Sequence, residues 1–229
     1  MVSIVNFRVL LFILISGFIS SNSLANEVRI VLIGDSTVTD YEGWGKEFAG
    51  RFNSSVKVYN FAKEGRSSKS YYNEKWLVKA LSVKPHYVFI QFGHNDQPGK
   101  GKKRETDPAT TFRDYLKLYI NEVTRSGAQP VLISSLTRRK FDKNGKVKAS
   151  LTPWAVATSE VAKEAGIAFI DLHTASVQYH NKIGYDASMK FNVYNHDTTH
   201  LNQLGAKHIT DLIIKEMNES GIELSRYLR

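Results

Sequence analysis

The sequence of 229 residues contains no cysteine. Disulfide bonds, a thiolate nucleophile, cysteine-ligated metal sites and lipid attachment at a processed cysteine are therefore excluded. The sequence also lacks internal repeats, low-complexity tracts and any recognisable interdomain linker. With 42% hydrophobic and 23% charged residues, it is typical of one compact domain with a substantial core.

The longest apolar stretch, Val9 to Ile19, is too short to span a bilayer comfortably. Arg8 precedes it, and Ser23-Leu24-Ala25 places small residues where a signal peptidase recognises them. This pattern predicts a signal peptide over residues 1–25, cleaved after Ala25, and a secreted or periplasmic protein of residues 26–229 in a single domain. An uncleaved amino-terminal anchor is the alternative, because the segment before the apolar stretch carries only one charge.

Acidic residues are fewer than basic ones, with 22 Asp and Glu against 31 Lys and Arg, which gives a formal charge of +9. Removal of residues 1–25 takes away one arginine and no acid. A chain this basic suits an anionic partner, such as an acidic polysaccharide, a nucleic acid or a membrane surface.

Short apolar runs alternate with segments of helical periodicity along residues 26–229. Strands buried on both faces are apolar on nearly every residue, which predicts strands at Val28 to Gly34, Val56 to Ala62, Tyr87 to Gly93, Pro130 to Ser135 and Ala168 to Leu172. Helices are predicted at Trp44 to Phe52, Ser68 to Val83, Asp107 to Gly127, Thr152 to Ala165 and Leu204 to Gly221. This order predicts an α/β protein with three α/β/α layers around a five-stranded, doubly wound parallel sheet of flavodoxin-like type.

Polar residues cluster at the predicted carboxyl ends of these strands, where open α/β sheets bind ligands. They are Ser36 after the first strand, Lys63 to Ser68 after the second, Gly93 to Asp96 after the third, and Asn195 to His200 before the last helix. We expect these segments to converge on one edge of the sheet.

Four of these sequence blocks resemble, in order, those of the SGNH (or GDSL) hydrolases: Gly34-Asp35-Ser36, Gly65, Gly93-His94-Asn95-Asp96 and Asp197-Thr198-Thr199-His200. Longer segments such as "GDSTVTDYEGWGKEF", "FGHNDQP" and "DTTHLNQLGA" resemble the rhamnogalacturonan acetylesterase branch, over most of residues 28–215. The resemblance implies an SGNH fold and a serine esterase that deacetylates the rhamnogalacturonan backbone of pectin without a cofactor. The basic stretch Lys100 to Arg104 has no counterpart in that pattern.

The residues themselves suit this chemistry. A serine hydroxyl becomes a good nucleophile when a base takes its proton, and His200 can serve as that base if Asp197 orients its imidazole. The backbone N–H of Ser36 is one predicted donor to the substrate oxyanion, and the resemblance assigns the Gly65 N–H and the Asn95 amide as the others. We interpret Asp35, His94 and Asp96 as structural supports.

Several residues also have competing interpretations. Ser36 could simply cap the following helix, and Gly65 could serve only a turn. His196 to His200 mimics the spacing of a zinc-protease helix, although the adjacent threonines favour a loop, and we predict no metal. Xylan acetylesterase, lipase or thioesterase activity, and a non-catalytic polysaccharide-binding protein, are the alternative functions.

Basic and aromatic residues near the predicted site provide candidates for substrate binding. Arg66, Arg138 and Arg139 are predicted to bind sugar carboxylates, because arginine offers a planar, bidentate fork. Trp154 is predicted to stack on a sugar ring, although such residues more often complete a core. We expect a monomer that acts on an acetylated acidic polysaccharide, with no nucleic acid partner and no stable membrane association.

Overall fold

A computed structural model describes residues 27–229, so the predicted signal peptide, residues 1–25, lies outside the described part of the chain. Five parallel strands form one sheet in the order β2-β1-β3-β4-β5. The strands are β1 (Val28–Gly34), β2 (Val56–Asn60), β3 (Tyr87–Gln91), β4 (Gln129–Ile133) and β5 (Ala168–Ile170). This order and the covering helices confirm the predicted flavodoxin-like α/β/α fold.

Strand β1 lies inside the sheet, with β2 on one side and β3 on the other. Its last residue, Gly34, pairs with Gln91 at the end of β3. Because the strands are parallel, the chain leaves β1 and β3 at the same edge of the sheet. Ser36 and the Gly93 to Asp96 segment therefore emerge side by side, as the sequence predicted.

Helices cover both faces of the sheet. They are α1 (Gly45–Ala49), α2 (Ser68–Asn73), α3 (Trp76–Leu81), α4 (Thr111–Arg125), α5 (Thr152–Ala165), α6 (Leu172–Met189) and α7 (Gln203–Glu219). Alternate residues of β1 point to the two faces: Ile30 and Leu32 pack in the core beneath α1 and α7, whereas Val31 and Ile33 pack beneath α2 to α5. The sheet is therefore buried on both sides, which explains its uninterrupted apolar strands.

Three predicted helices differ from the observed ones, and the one predicted over Trp44 to Phe52 is shorter, at Gly45–Ala49. The single helix expected over Ser68 to Val83 is divided into α2 and α3, because Lys75 adopts a left-handed conformation with φ of 60°. Helix α4 begins at Thr111 rather than beside Asp107, whose carboxylate instead accepts hydrogen bonds from the backbone of Ala109 and Thr110 in a preceding turn.

Helix α6 is an element that the sequence did not predict. Its buried side includes His173, Ser176, His180 and Ser188, so it lacks the apolar stripe that marks an amphipathic helix. Gly184 has non-helical dihedral angles and bends the helix near its end. No helix within residues 27–229 is long and apolar enough to cross a membrane.

Candidate active site

Ser36 lies where β1 gives way to a short 3₁₀ turn, Ser36–Val38. Asp35 caps this turn, because its Oδ1 accepts hydrogen bonds from the backbone N–H and the hydroxyl of Thr37 at 2.9 and 2.7 Å. The Gln91 amide of β3 donates to the Thr37 hydroxyl at 2.7 Å, and its oxygen accepts from the Trp44 indole at 3.1 Å. These buried contacts fix the turn and leave Ser36 7% exposed at the sheet edge.

His200 reaches Ser36 from the loop before α7. The Nε2 atom of His200 lies 2.8 Å from the Ser36 Oγ, and its Nδ1 atom lies 2.8 Å from Oδ2 of Asp197. An ionised Asp197 favours the tautomer with the proton on Nδ1, which leaves the Nε2 lone pair free to accept the serine proton. The arrangement joins a hydroxyl, a base and an orienting acid in one chain of hydrogen bonds.

The loop itself keeps Asp197 ionised. The Oδ1 atom of Asp197 accepts hydrogen bonds from the backbone N–H groups of Thr199 at 2.9 Å and His200 at 3.0 Å. Partial burial raises the pKa of Asp197, but these two donors and the His200 ring outweigh it and hold the pKa below its usual range. Residues 195–200 form turns and irregular structure rather than the helix that the zinc interpretation requires.

The predicted oxyanion donors surround the same edge of the sheet. The backbone N–H of Lys63 donates to the Gly34 carbonyl at 2.9 Å, which brings the loop containing Gly65 beside the end of β1. Gly65 has φ of +70°, a conformation that few other residues adopt without strain. The Asn95 amide donates to the Arg66 carbonyl at 3.1 Å and is 7% exposed, so it lies against the same loop.

Comparison with known proteins decides the family. The model of the GDSL-like lipase/acylhydrolase family matches residues 30–213. This chain is a GDSL hydrolase. Rhamnogalacturonan acetylesterase RhgT of Bacillus subtilis is 32% identical over 222 residues, which cover 88% of this chain and 94% of that protein.

Solved structures show the same fold. The crystal structure of Bacillus subtilis YxiM superposes with a TM-score of 0.76 at 25% identity, over 86% of this chain and 58% of that one. An acetylxylan esterase variant from Geobacillus stearothermophilus gives a TM-score of 0.65 at 16% identity, over 88% of this GDSL hydrolase and 96% of that chain. The family membership makes the protein a carboxylic ester hydrolase.

Two buried residues of the GDSL hydrolase brace the site from behind. Asp96 accepts hydrogen bonds from the backbone and hydroxyl of Ser68, at the start of α2, and from the Thr106 hydroxyl. Burial raises the pKa of Asp96 to about 7, against the opposing effect of these donors. His94 lies 3.5 Å from Asp35, and burial lowers the pKa of its ring. Both residues have the supporting positions expected from the sequence.

Arg139 requires a correction. It was predicted to bind a substrate carboxylate, but its side chain is fully buried beneath the loop of residues 197–200. Its guanidinium donates to the Asn192 side chain at 2.8 Å and to the backbone carbonyls of Asp197 at 3.1 Å, Thr199 at 3.5 Å and His200. Arg139 thus lies inside the protein, where its hydrogen bonds hold the loop, and only the floor of the neighbouring cleft reaches it.

Trp154 also lies inside. It is 6% exposed and belongs, with Val161 and Phe112, to the core on the α5 side of the sheet. This core position is the alternative that the sequence analysis left open. It leaves no ring face for a sugar. Arg66 and Arg138 remain predicted substrate contacts. Arg66 is about two-fifths exposed and pairs with Glu74 at 2.9 Å, whereas Arg138 donates to Gln97 and to the His94 carbonyl.

Glu42 is a site residue that the sequence analysis did not single out. Its carboxylate lies 3.8 Å from the His200 Nε2 atom, on the side of the ring that faces Ser36. Two contacts place it there: its carbonyl accepts a hydrogen bond from the Leu201 N–H at 2.8 Å, and Gly43 packs so closely on the Thr37 backbone that a Cβ would lie 2.4 Å from it. The only sequence signal was its position within the segment that resembles the acetylesterase branch.

The basic stretch from Lys100 to Arg104 folds against the loop that contains Gly65, which we call the oxyanion loop after its predicted role. Arg104 donates to the Lys100 carbonyl at 2.7 Å and to the Gly65 carbonyl at 3.4 Å, and the Lys69 ammonium donates to the Lys102 carbonyl at 2.8 Å. These contacts bring positive charge to the edge of the site. Among residues 27–229 there is no group of three or more His, Asp or Glu side chains placed to hold a metal ion.

Proposed function

We propose that this GDSL hydrolase removes O-acetyl groups from a carbohydrate, and specifically from the rhamnogalacturonan backbone of pectin. The observation that carries the proposal is the hydrogen-bonded series of Ser36, His200 and Asp197 at the carboxyl edge of the sheet. Three curated relatives, each covered over at least 88% of its length, bear the name rhamnogalacturonan acetylesterase, one of them as a probable enzyme.

In the proposed mechanism, Ser36 attacks the acetyl carbonyl while His200 accepts its proton at Nε2. Asp197 holds the ring and stabilises the imidazolium that forms. The N–H groups of Ser36 and Gly65 and the Asn95 amide donate to the oxygen that becomes negative in the tetrahedral intermediate. His200 then returns the proton to the departing sugar hydroxyl, which leaves an acetyl group on Ser36.

Water completes the cycle. His200 accepts a proton from a water molecule as the water attacks the acetyl-enzyme, and the same donors stabilise the second tetrahedral intermediate. Its collapse releases acetate and returns the proton to Ser36. None of these steps requires a metal or an organic cofactor.

Export is part of the proposal. It is supported by the signal-peptide pattern of residues 1–25 and by the size of the substrate, because a cell-wall polymer is available outside the cell. We also propose that the mature protein acts as a monomer.

Two measurements test the activity and its substrate. The mature protein should hydrolyse p-nitrophenyl acetate, and Ser36→Ala should abolish this turnover while leaving the circular dichroism spectrum unchanged. Acetate release should be faster from acetylated rhamnogalacturonan than from acetylated homogalacturonan or acetylated xylan. Faster release from xylan would refute the pectic substrate but not the proposed mechanism. A wild-type protein that hydrolyses neither p-nitrophenyl acetate nor any of these polymers would refute the proposed esterase activity.

A further inference from the structure

We propose that a second site, beside the loop that contains Asp197 and His200, binds a carboxylate-bearing sugar unit of the same polymer chain as the acetylated one. This inference rests on the proposed function and deepens it. The site is a cleft of about 610 Å³ that does not include Ser36. We call it the basic cleft and define it by Lys140, Phe141, Lys148, Tyr185, Tyr194 and His196.

The basic cleft and the catalytic residues share one loop. Asn195, His196 and Thr198 line the cleft, whereas Asp197 and His200 turn toward Ser36. One residue separates Thr198 from His200, so their Cα atoms lie within about 7 Å of each other. A polymer whose acetylated unit lies at Ser36 therefore needs to extend by only a short distance to enter the cleft.

The charge of the cleft suits an acid. Lys140 and Lys148 are exposed, and within residues 27–229 neither forms an ion pair. The Lys148 N–H donates to the Lys140 carbonyl at 2.7 Å, which holds the two lysines on adjacent segments of chain. No aspartate or glutamate is among the residues that line the cleft. Two cations that form no ion pair on a concave surface are suited to a carboxylate.

The remaining lining suits a sugar ring. Tyr185 and Tyr194 are 57% and 64% exposed, although most large apolar or aromatic side chains of the described chain are covered. Tyr185 is held edge-on against Phe141, with ring centroids 5.6 Å apart. Aromatic side chains that are fixed at a surface with one free face pack well against the apolar faces of sugar rings.

Positive charge also connects the cleft to the oxyanion loop. Burial and the nearby charges of Arg138, Arg104 and Lys140 together lower the pKa of Lys100. Each of these three side chains thus lies close enough to Lys100 to repel it, and among residues 27–229 none of the four is in an ion pair. Binding of a polyanion along these side chains relieves the repulsion between their positive charges. They therefore favour an acidic chain that runs from Ser36 into the cleft.

The test compares two double variants of the full mature enzyme. Lys140→Gln/Lys148→Gln removes both cleft cations, whereas Lys143→Gln/Lys146→Gln removes two exposed lysines of the same segment that do not line the cleft. In the cleft variant we expect KM for acetylated rhamnogalacturonan oligosaccharides to rise roughly ten-fold over the wild-type value. The KM for p-nitrophenyl acetate, which has no acidic sugar, should not rise with it. The control variant should match the wild type on both substrates. Lys140→Arg/Lys148→Arg should restore most of the affinity.

Binding is measured separately, so that the two proposals fail in different ways. Calorimetry with Ser36→Ala and an unacetylated rhamnogalacturonan oligosaccharide should show binding that weakens with salt and with the cleft variant, and no binding of a neutral xylo-oligosaccharide. Equal binding by the cleft and control variants would overturn the inference while leaving the esterase intact. A wild-type enzyme that releases no acetate from pectic polymers would instead refute the proposed substrate. The calorimetric result would still show whether the basic cleft binds an acidic oligosaccharide.

Discussion

Replacement of Arg139 by methionine should lower both stability and turnover. Its guanidinium forms three close hydrogen bonds, to Asn192, Asp197 and His200, and bonds from a charged donor contribute about 2 kcal/mol each, or about 6 kcal/mol together. Burial of the guanidinium opposes this: it lowers the pKa of Arg139 to about 10, which corresponds to a cost of about 3 kcal/mol. We therefore expect Arg139→Met to reduce the free energy of unfolding by about 3 kcal/mol.

The catalytic effect follows from the same contacts. Without the guanidinium, the carbonyls of Asp197 and His200 lose their donor, and the loop that aligns the imidazole with Ser36 loosens. A displacement of about 1 Å in such a group costs about 10²-fold in rate, so kcat for p-nitrophenyl acetate should fall by about that factor. Urea unfolding followed by tryptophan fluorescence gives the first quantity, and initial rates under conditions where the variant is folded give the second.

The result also separates the two roles considered for Arg139. Arg139→Lys should recover little, because an ammonium cannot span the same carbonyls as a planar fork. A variant with unchanged stability and unchanged kcat for p-nitrophenyl acetate, but a raised KM for acidic polysaccharide, would refute the structural role and restore the substrate contact predicted from the sequence.

Three further perturbations test other parts of the site. Asn95→Ala should lower kcat by about 10² to 10³-fold with little change in KM, as expected for the loss of one oxyanion donor; a change in KM alone would contradict that role. Glu42→Gln should lower kcat about five-fold, because a carboxylate 3.8 Å from a protonated His200 contributes about 1 kcal/mol in a water-like environment, and an unchanged rate would exclude this contribution. Asp96 binds its proton more tightly in the folded protein than in the unfolded chain, so wild-type stability should fall as the pH rises from about 4 through about 7, by an amount on the order of 4 kcal/mol. Asp96→Asn should remove most of this decline in urea titrations at pH 5 and pH 8, and identical slopes for the two proteins would refute the raised pKa.

The sheet could be predicted from the sequence because its strands are buried on both faces. The run Val28 to Gly34 is apolar nearly throughout, and its predicted bounds match β1. Parallel topology then places the carboxyl end of every strand at one edge, so the convergence of Ser36 with Asn95 follows from chain order alone. The other four strands each end two residues before their predicted limits, because the sequence does not show where the hydrogen bonds between strands stop.

Elements stabilised by tertiary contacts could not be predicted in this way. Helix α6 buries polar side chains such as His180 and Ser188, which bond each other at 2.9 Å, so its sequence has no apolar period. The break between α2 and α3 depends on one backbone angle at Lys75, a residue that ordinarily continues a helix.

The positions of two charged residues of the site, Arg139 and Glu42, also could not be predicted, because they depend on tertiary contacts. Arginine is rarely buried, so nothing in the sequence separated Arg139 from its neighbours, the half-buried Arg138 and the exposed Lys140. Its position is set by carbonyls of a loop about sixty residues further along the chain. Glu42 owes its position to Leu201 in the same way, through a backbone bond that joins the two ends of the domain.

The hydrogen bond between Ser36 and His200 joins residues 164 positions apart. A chain interrupted before residue 197 already contains every strand of the sheet, yet it has no base for Ser36. During synthesis, which proceeds from the amino end, the nucleophile is therefore complete long before it becomes reactive. We expect esterase activity to return late in refolding, after the spectroscopic signal of the sheet. Activity thus reports the docking of the final helix.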